Sequence, residues 1–283
     1  MMLSEKELKL ILLDFKESNF LNVGTLEINS LTKAMLHHIG STDPELRDHL
    51  IYPSFINLIV NNYYTKPELK ELLYVCLDEQ HLLLKLEDND EDAVFTRAFS
   101  SLIIAVLLHV NRQNSFLAES ELDMIAEQLI NYIHKEEDVR GFVEGKGWAH
   151  SIAHIADALD ELVKNKGITI SKLEEVAMTI LEKMYFDKGY FLFEEDERMV
   201  TALISILNRE IDQQHIINRI TDITAELKQN FISGTSVQYM QRTNFKQFLR
   251  SLLLHLEVID KHAKLREHLK NVLQSINQPY YNT

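Results

Sequence analysis

Glycine and proline are scarce in this chain of 283 residues, with 8 Gly and 4 Pro. Many-stranded sheets need turns, and turns are built largely from these residues, so the shortage excludes most all-β architectures. A single cysteine, Cys76 in Leu-Leu-Tyr-Val-Cys-Leu, excludes an internal disulfide and points to a reducing, cytoplasmic setting. Positive charge is also short, 29 Lys plus Arg against 43 Asp plus Glu, a formal charge of −14. Such a surface repels nucleic acid and anionic lipid, so no nucleic-acid partner and no membrane association are expected. The most apolar run, Ser101–Val110, is about half as long as a bilayer span and reads as a buried core helix. The N-terminal Met-Met-Leu-Ser-Glu-Lys-Glu-Leu has neither the basic flank nor the apolar core of a signal peptide.

What is present is helical periodicity. Apolar residues recur at three- and four-residue steps, as in Leu8, Ile11, Leu12 and Phe15, or Phe245, Phe248, Leu249 and Leu252. Helix starts are punctuated by Asp43-Pro44 and by Thr65-Lys66-Pro67-Glu68, a capping residue followed by proline in the first turn. These signals predict roughly a dozen helices joined by short connections. The expected fold is all-α: one domain over residues 1–283, of stacked antiparallel helix pairs as in a HEAT-like α-solenoid, or an irregular helical array. The tail from Asn277 reads as a frayed end, and the acidic run Glu87–Asp92 as a solvated turn whose carboxylates help to start the next helix at Ala93.

One segment departs from generic helical protein. Asp138-Val-Arg-Gly-Phe-Val-Glu-Gly-Lys-Gly-Trp-Ala-His-Ser-Ile-Ala-His-Ile-Ala-Asp157 holds the only Trp and three of the eight Gly. The glycines mark a loop, and the site-bearing stretch covers about residues 138–165. With a helix starting near Gly147 or Trp148, a rotation of about 100° per residue puts His150, His154, Asp157 and Glu161 on one stripe. Ile152, Ile155, Leu159 and Leu162 then fall on the opposite side.

Imidazoles at i and i+4 with a carboxylate one turn on can share one divalent metal ion, so His150, His154 and Asp157 form a candidate metal set. Arg140 and Lys146 lie at the mouth of the helix, where free N–H groups and the dipole favour an anion. The alternative to both is that Asp138 and Arg140 pair with neighbours and the histidines make ordinary hydrogen bonds. Arg242, Lys246 and Arg250 repeat at four-residue steps; two roles are open, binding an anionic partner and, the leading expectation, pairing with internal carboxylates such as Glu195 and Asp196.

The run from Arg140 to Asp157 resembles the hallmark of DUF2785, an uncharacterised bacterial family. Leu46-Arg-Asp48 with Tyr52, Arg97-Ala-Phe-Ser-Ser101, Glu195-Asp-Glu-Arg198 and Asn244-Phe-Lys-Gln-Phe-Leu-Arg250 also match its pattern in order. The resemblance implies an all-helical bacterial cytoplasmic protein with no assigned activity, and draws attention to Arg140, Trp148, His150, His154 and Asp157.

The leading expectation is a helical-repeat binding protein with a groove lined by Arg140, Lys146, Trp148, His150, His154 and Asp157. Its partner is expected to be a small anionic ligand or a peptide. A second reading is a metal-dependent hydrolase using His150, His154 and Asp157, with Glu161 or Glu144 as base. A third is an interaction scaffold.

Overall fold

The computed structural model describes residues 3–21, 27–88, 90–209, 211–231 and 234–281; Met1, Met2, Asn89, Asn282 and Thr283, on which some of the sequence readings touch, lie outside them. The fold is all-α. Helices α1 (Glu5–Glu17), α2 (Ile28–His37), α3 (Pro44–Leu46), α4 (Tyr52–Val60), α5 (Lys66–Cys76), α6 (Ala93–Gln113), α7 (Glu119–Lys135) and α8 (Ser151–Val163) precede α9 (Ile170–Lys183), α10 (Glu195–Leu207), α11 (Gln213–Phe231), α12 (Ser236–Val258) and α13 (Ala263–Tyr281). Between α7 and α8 lies a small antiparallel hairpin, β1 (Phe142–Val143) and β2 (Gly147–Trp148).

The caps expected from sequence are formed. Asp43 accepts from the Glu45 N–H at 2.9 Å with Pro44 next to it, and Thr65 exchanges hydrogen bonds with Glu68 in a capping box. Each satisfies backbone donors that a helix start leaves open. The tail read as frayed is helical as far as Tyr281.

Where one domain was expected, the chain groups into two compact units, Met1–Gly167 and Ile168–Thr283. Within the first, α6 packs most extensively on α8 and also lies against α4 and α5. Among the described residues α6 alone is long and apolar enough to cross a membrane, yet most of it is buried inside protein, including Phe95, Ile103, Ile104, Leu107 and Leu108 at 0% exposure. It is the core helix that its apolar run predicts. Within the second unit every other helix packs side by side, α9 on α11 on α13 and α10 on α12, while α9 also meets α10 and α12 meets both α11 and α13.

Candidate functional site

The helix starting at Pro44 is interrupted by one π-helical turn, Arg47–Ile51, closed by the Tyr52 N–H donating to the Arg47 carbonyl. A π turn adds one residue to the helical circuit and redirects side chains, a device often found at functional sites. Here it presents Arg47 and Asp48 to the β1–β2 hairpin. Arg47 is fully buried. Its guanidinium donates to the carbonyls of Ser41 at 2.5 Å, Lys146 at 2.7 Å and Trp148 at 3.3 Å, and pairs with Asp48 at 2.8 Å. It also lies 4.4 Å from the Phe95 ring centre and 4.8 Å from that of Phe99.

Asp48 accepts in turn from the Trp148 backbone N–H. Burial pushes the Asp48 carboxyl above its ordinary range even though the Arg47 charge opposes this. Gly147 makes the close approach feasible. Its φ is +77°, and a Cβ there would lie 2.7 Å from the Pro44 Cβ and 3.0 Å from an Arg47 nitrogen. Behind the hairpin Val143 packs on Val94, Phe95 and Ala149.

The hairpin displaces the start of α8. The expected helix began near Gly147 or Trp148, but these residues pair with Val143 and Phe142, and the pairing continues as Ala149 N–H to Gly141 and His150 N–H to Arg140, both 2.9 Å. α8 therefore begins at Ser151, and His150 stands before it with left-handed backbone, φ 52°. A helical wheel does not apply to His150. The ring reaches His154 by another route, with the two imidazole centres 5.5 Å apart.

A continuous series of rings results. Phe142 meets Trp148 edge-on at 5.4 Å, Trp148 stacks on His150 at 4.9 Å, His154 meets Phe99 at 5.3 Å, and Phe99 meets Tyr52 at 6.2 Å. The series runs from surface to interior. Phe142 and Trp148 are 50% and 40% exposed, whereas His154 and Phe99 are 8% and 3% exposed. Edge-to-face and offset pairs of this kind contribute about 0.5–1.5 kcal/mol each beyond burial.

The remaining predicted residues separate. Asp157 is half-buried on α8. Glu161 is held by Arg112 at 3.0 Å and His109 at 3.3 Å, and Glu144 is exposed at the hairpin turn. Among the described residues no group of three or more His, Cys, Asp or Glu is placed to hold a metal ion. His154, Asp157 and Glu161 share α8 as the sequence expected, while His150 stands before the helix and Glu144 on the hairpin.

The cations expected at an anion site are engaged internally. Arg140 grips Asp138 through Nε and a terminal nitrogen, the latter 2.6 Å from Oδ2, and donates to the Glu91 carbonyl; the Asp138 carboxylate raises the Arg140 pKa further. Lys146 reaches Asp92 at 2.6 Å. Both cations are thus paired within the protein.

The acidic run supplies what sequence reasoning missed. Together with Arg97, Glu136 and the Asp138–Arg140 pair it lines a cavity of about 760 Å³. Seven carboxylates, Glu87, Asp88, Asp90, Glu91, Glu136, Glu137 and Asp138, face it against the cations Arg97, Lys135 and Arg140. In its wall Glu136, 1% exposed, accepts two hydrogen bonds from Arg97 at 2.7 and 2.8 Å and one from the Tyr132 hydroxyl at 2.7 Å. The only hint in sequence is the charge run itself, whose second half-ring, Glu136–Asp138, lies nearly fifty residues away.

In the second unit Asp196 and Arg242 make contacts other than with each other. Asp196 accepts from Ser251 at 2.6 Å and from Gln247 at 3.2 Å, and Arg242 donates to the Ile276 carbonyl. Asn244 bridges the loop before α10, accepting from Phe191 and donating to Phe186 and Gly189.

The profile of a family described as a protein of unknown function (DUF2785) matches residues 82–254, well over half of the chain. No curated protein and no solved structure matches it.

Proposed function

The chain belongs to DUF2785, whose description assigns no activity, and from its geometry we propose that the protein is a binding module whose first unit receives a basic polypeptide segment carrying an apolar anchor. One observation carries this reading. A hairpin locked by the fully buried Arg47 presents two large exposed rings, Phe142 and Trp148, and the same segment, through Asp138 and Arg140, walls a cavity rich in carboxylates. Rigid exposed aromatics act as anchors in protein recognition, since holding them in place beforehand lowers the entropy lost on binding.

Charge selects the partner. With Arg140 and Lys146 already paired to Asp138 and Asp92, the free sign around the cavity is negative, which favours a Lys- or Arg-rich segment over the anionic ligand that the sequence suggested. A cytoplasmic setting accords with Cys76, which is fully buried and whose thiol is pushed up by that burial.

Trp148 is the only tryptophan, so its emission reports directly on the site. Titration with a Trp-free peptide of alternating Lys and Leu should shift that emission at concentrations on the order of micromolar to tens of micromolar. Binding should weaken with added salt, and it should weaken further in Phe142→Ala and in the double variant Asp88→Asn, Glu91→Gln. Unchanged emission, or equal binding of a Glu-and-Leu peptide, would overturn the proposal.

A further inference from the structure

The second unit carries a surface of the opposite sign, and its argument is independent of the reading of the first. Two rows of polar side chains run along α12 at four-residue steps. Gln247, Ser251 and His255 form the first, and they take up acids of α10: Asp196 by Ser251 and Gln247, Glu197 by His255 at 2.9 Å. Arg242, Lys246 and Arg250 form the second, rotated about 140° from the first at 3.6 residues per turn. Asp196 and Glu197 of α10 are thus occupied on another face of the helix.

We infer that this second row, Arg242, Lys246 and Arg250, is a binding site for a phosphate chain, as found in a polyphosphate or a nucleoside polyphosphate. Its cations are graded from inside to outside: Arg242 is 4% exposed and fixed to the Ile276 carbonyl of α13, Lys246 is half-buried, and Arg250 is exposed. None of the ion pairs among the described residues involves Lys246 or Arg250. Burial, and then the neighbouring charges of Arg250 and Arg242, hold the Lys246 pKa below its ordinary value. Three like charges at this spacing repel one another by a few tenths of a kcal/mol per pair. In a chain with 43 acidic residues, a counter-charge within the protein would have been easy to provide, and among the described residues the row has none at Lys246 or Arg250.

Length selects the ligand. Eight residues of helix span about 12 Å, more than a single tetrahedral oxyanion can bridge, whereas two or three linked phosphates reach from one end of the row to the other. At the Arg242 end stand two exposed rings, Tyr239 on α12 and Tyr280 on α13, 46% and 59% exposed, both close enough to influence the Arg242 charge. They offer a platform on which a base could stack next to the first phosphate.

Calorimetric titration of the full chain with tripolyphosphate and with adenosine triphosphate, at matched ionic strength and without added metal, tests the site. Both should bind. Lys246→Gln and Arg250→Gln should each weaken binding roughly tenfold, a difference of about 1.4 kcal/mol, while Lys246→Arg should retain it. Lys246→Gln removes a repelled charge, so its thermal midpoint should not fall, which separates loss of binding from loss of fold. Equal affinity for both ligands identifies the phosphate chain alone as what is recognised; tighter binding of the nucleotide, reduced in Tyr239→Ala, adds the ring. No heat with either ligand at millimolar concentration, or equal binding by the wild type and the Lys246→Gln, Arg250→Gln double variant, would overturn the inference.

Discussion

Two buried acids, Glu136 in the first unit and Asp196 in the second, are satisfied in different ways. In the first, charge meets charge: Arg97 with Glu136, and Arg47 with Asp48. In the second, the buried Asp196 rests on the neutral donors Ser251 and Gln247, Asn244 on three backbone groups, and Arg242 on a carbonyl. A buried ion pair adds little net stability over an apolar pair of the same shape, but it penalises the loss of either member heavily, because the survivor is left charged in a poorly polarisable interior. A neutral donor can be lost at much smaller cost. The first unit is therefore built to hold one geometry, which suits a site whose exposed rings must be presented in place.

Breaking Arg97–Glu136 tests this most severely. Arg97→Met strands Glu136 in the wall of the acidic cavity and should lower the stability of the first unit by about 3–5 kcal/mol, with Arg97→Met, Glu136→Leu recovering most of the loss. Urea unfolding followed by Trp148 emission reads the first unit alone, since the chain's only tryptophan lies there. A double variant as unstable as the single would refute the charge-pair account. Next comes Gly147→Ala, which combines positive-φ strain with a Cβ 2.7 Å from Pro44 and should cost about 2–3 kcal/mol. It should also shift Trp148 emission in the native state, because the ring's strand can no longer sit on Arg47. An unshifted emission would show that the hairpin is positioned by other contacts.

How far these features could be read beforehand depends on whether they are local. The all-α class, the caps at Asp43 and Thr65 and the core helix around Ser101–Val110 follow from periodicity and nearest neighbours, and they are present. The segment from Asp138 to Asp157 was identifiable from its composition alone. Its internal geometry was not, because two short strands were decided by Arg47, about a hundred residues earlier, and a helix propensity argument has no access to that contact. The acidic run is the interhelical turn expected, and α6 starts at Ala93; what nearest neighbours could not tell is that Glu136 and Asp138, arriving from the end of α7, join it around one cavity. Asp196, named from sequence as a partner for the basic row of α12, meets Gln247 and Ser251 on another face of that helix, which a reading of charges along one row does not resolve.

Ser251→Ala is the matching cut in the second unit. It removes the 2.6 Å donor to Asp196 and leaves Gln247 in place, so a loss of about 1–2 kcal/mol is expected. Far-UV circular dichroism should record it while Trp148 emission does not change, provided that the units unfold separately. A loss as large as that of Arg97→Met would erase the distinction between the two regions.

The smallest expected effect concerns acid, and within the first unit it takes opposite signs at two carboxyls. In the first unit Glu121 on α7 accepts from the Ala118 N–H at 2.9 Å and the Tyr74 hydroxyl, and meets Lys70 at 2.6 Å. Burial alone would raise its pKa, but these partners outweigh burial and bring it down to about 2. A carboxyl that is more acidic folded than unfolded binds fewer protons in the native state, so its contribution is complete above the ordinary value of 4.5 and is lost as pH falls toward about 2. Solvent screening at this partly exposed site limits the effect to about 1 kcal/mol. The urea midpoint by Trp148 emission should therefore decline below about pH 4.5, and Glu121→Gln should remove that part of the decline and leave the rest. Asp48, raised by burial, works the other way: it binds more protons folded than unfolded, so its contribution to stability decreases as pH rises through the window above its ordinary value. If Glu121→Gln leaves the acid limb unaltered, the first unit's acid sensitivity arises elsewhere, and the α5–α7 contact is not the charge-held joint that its geometry describes.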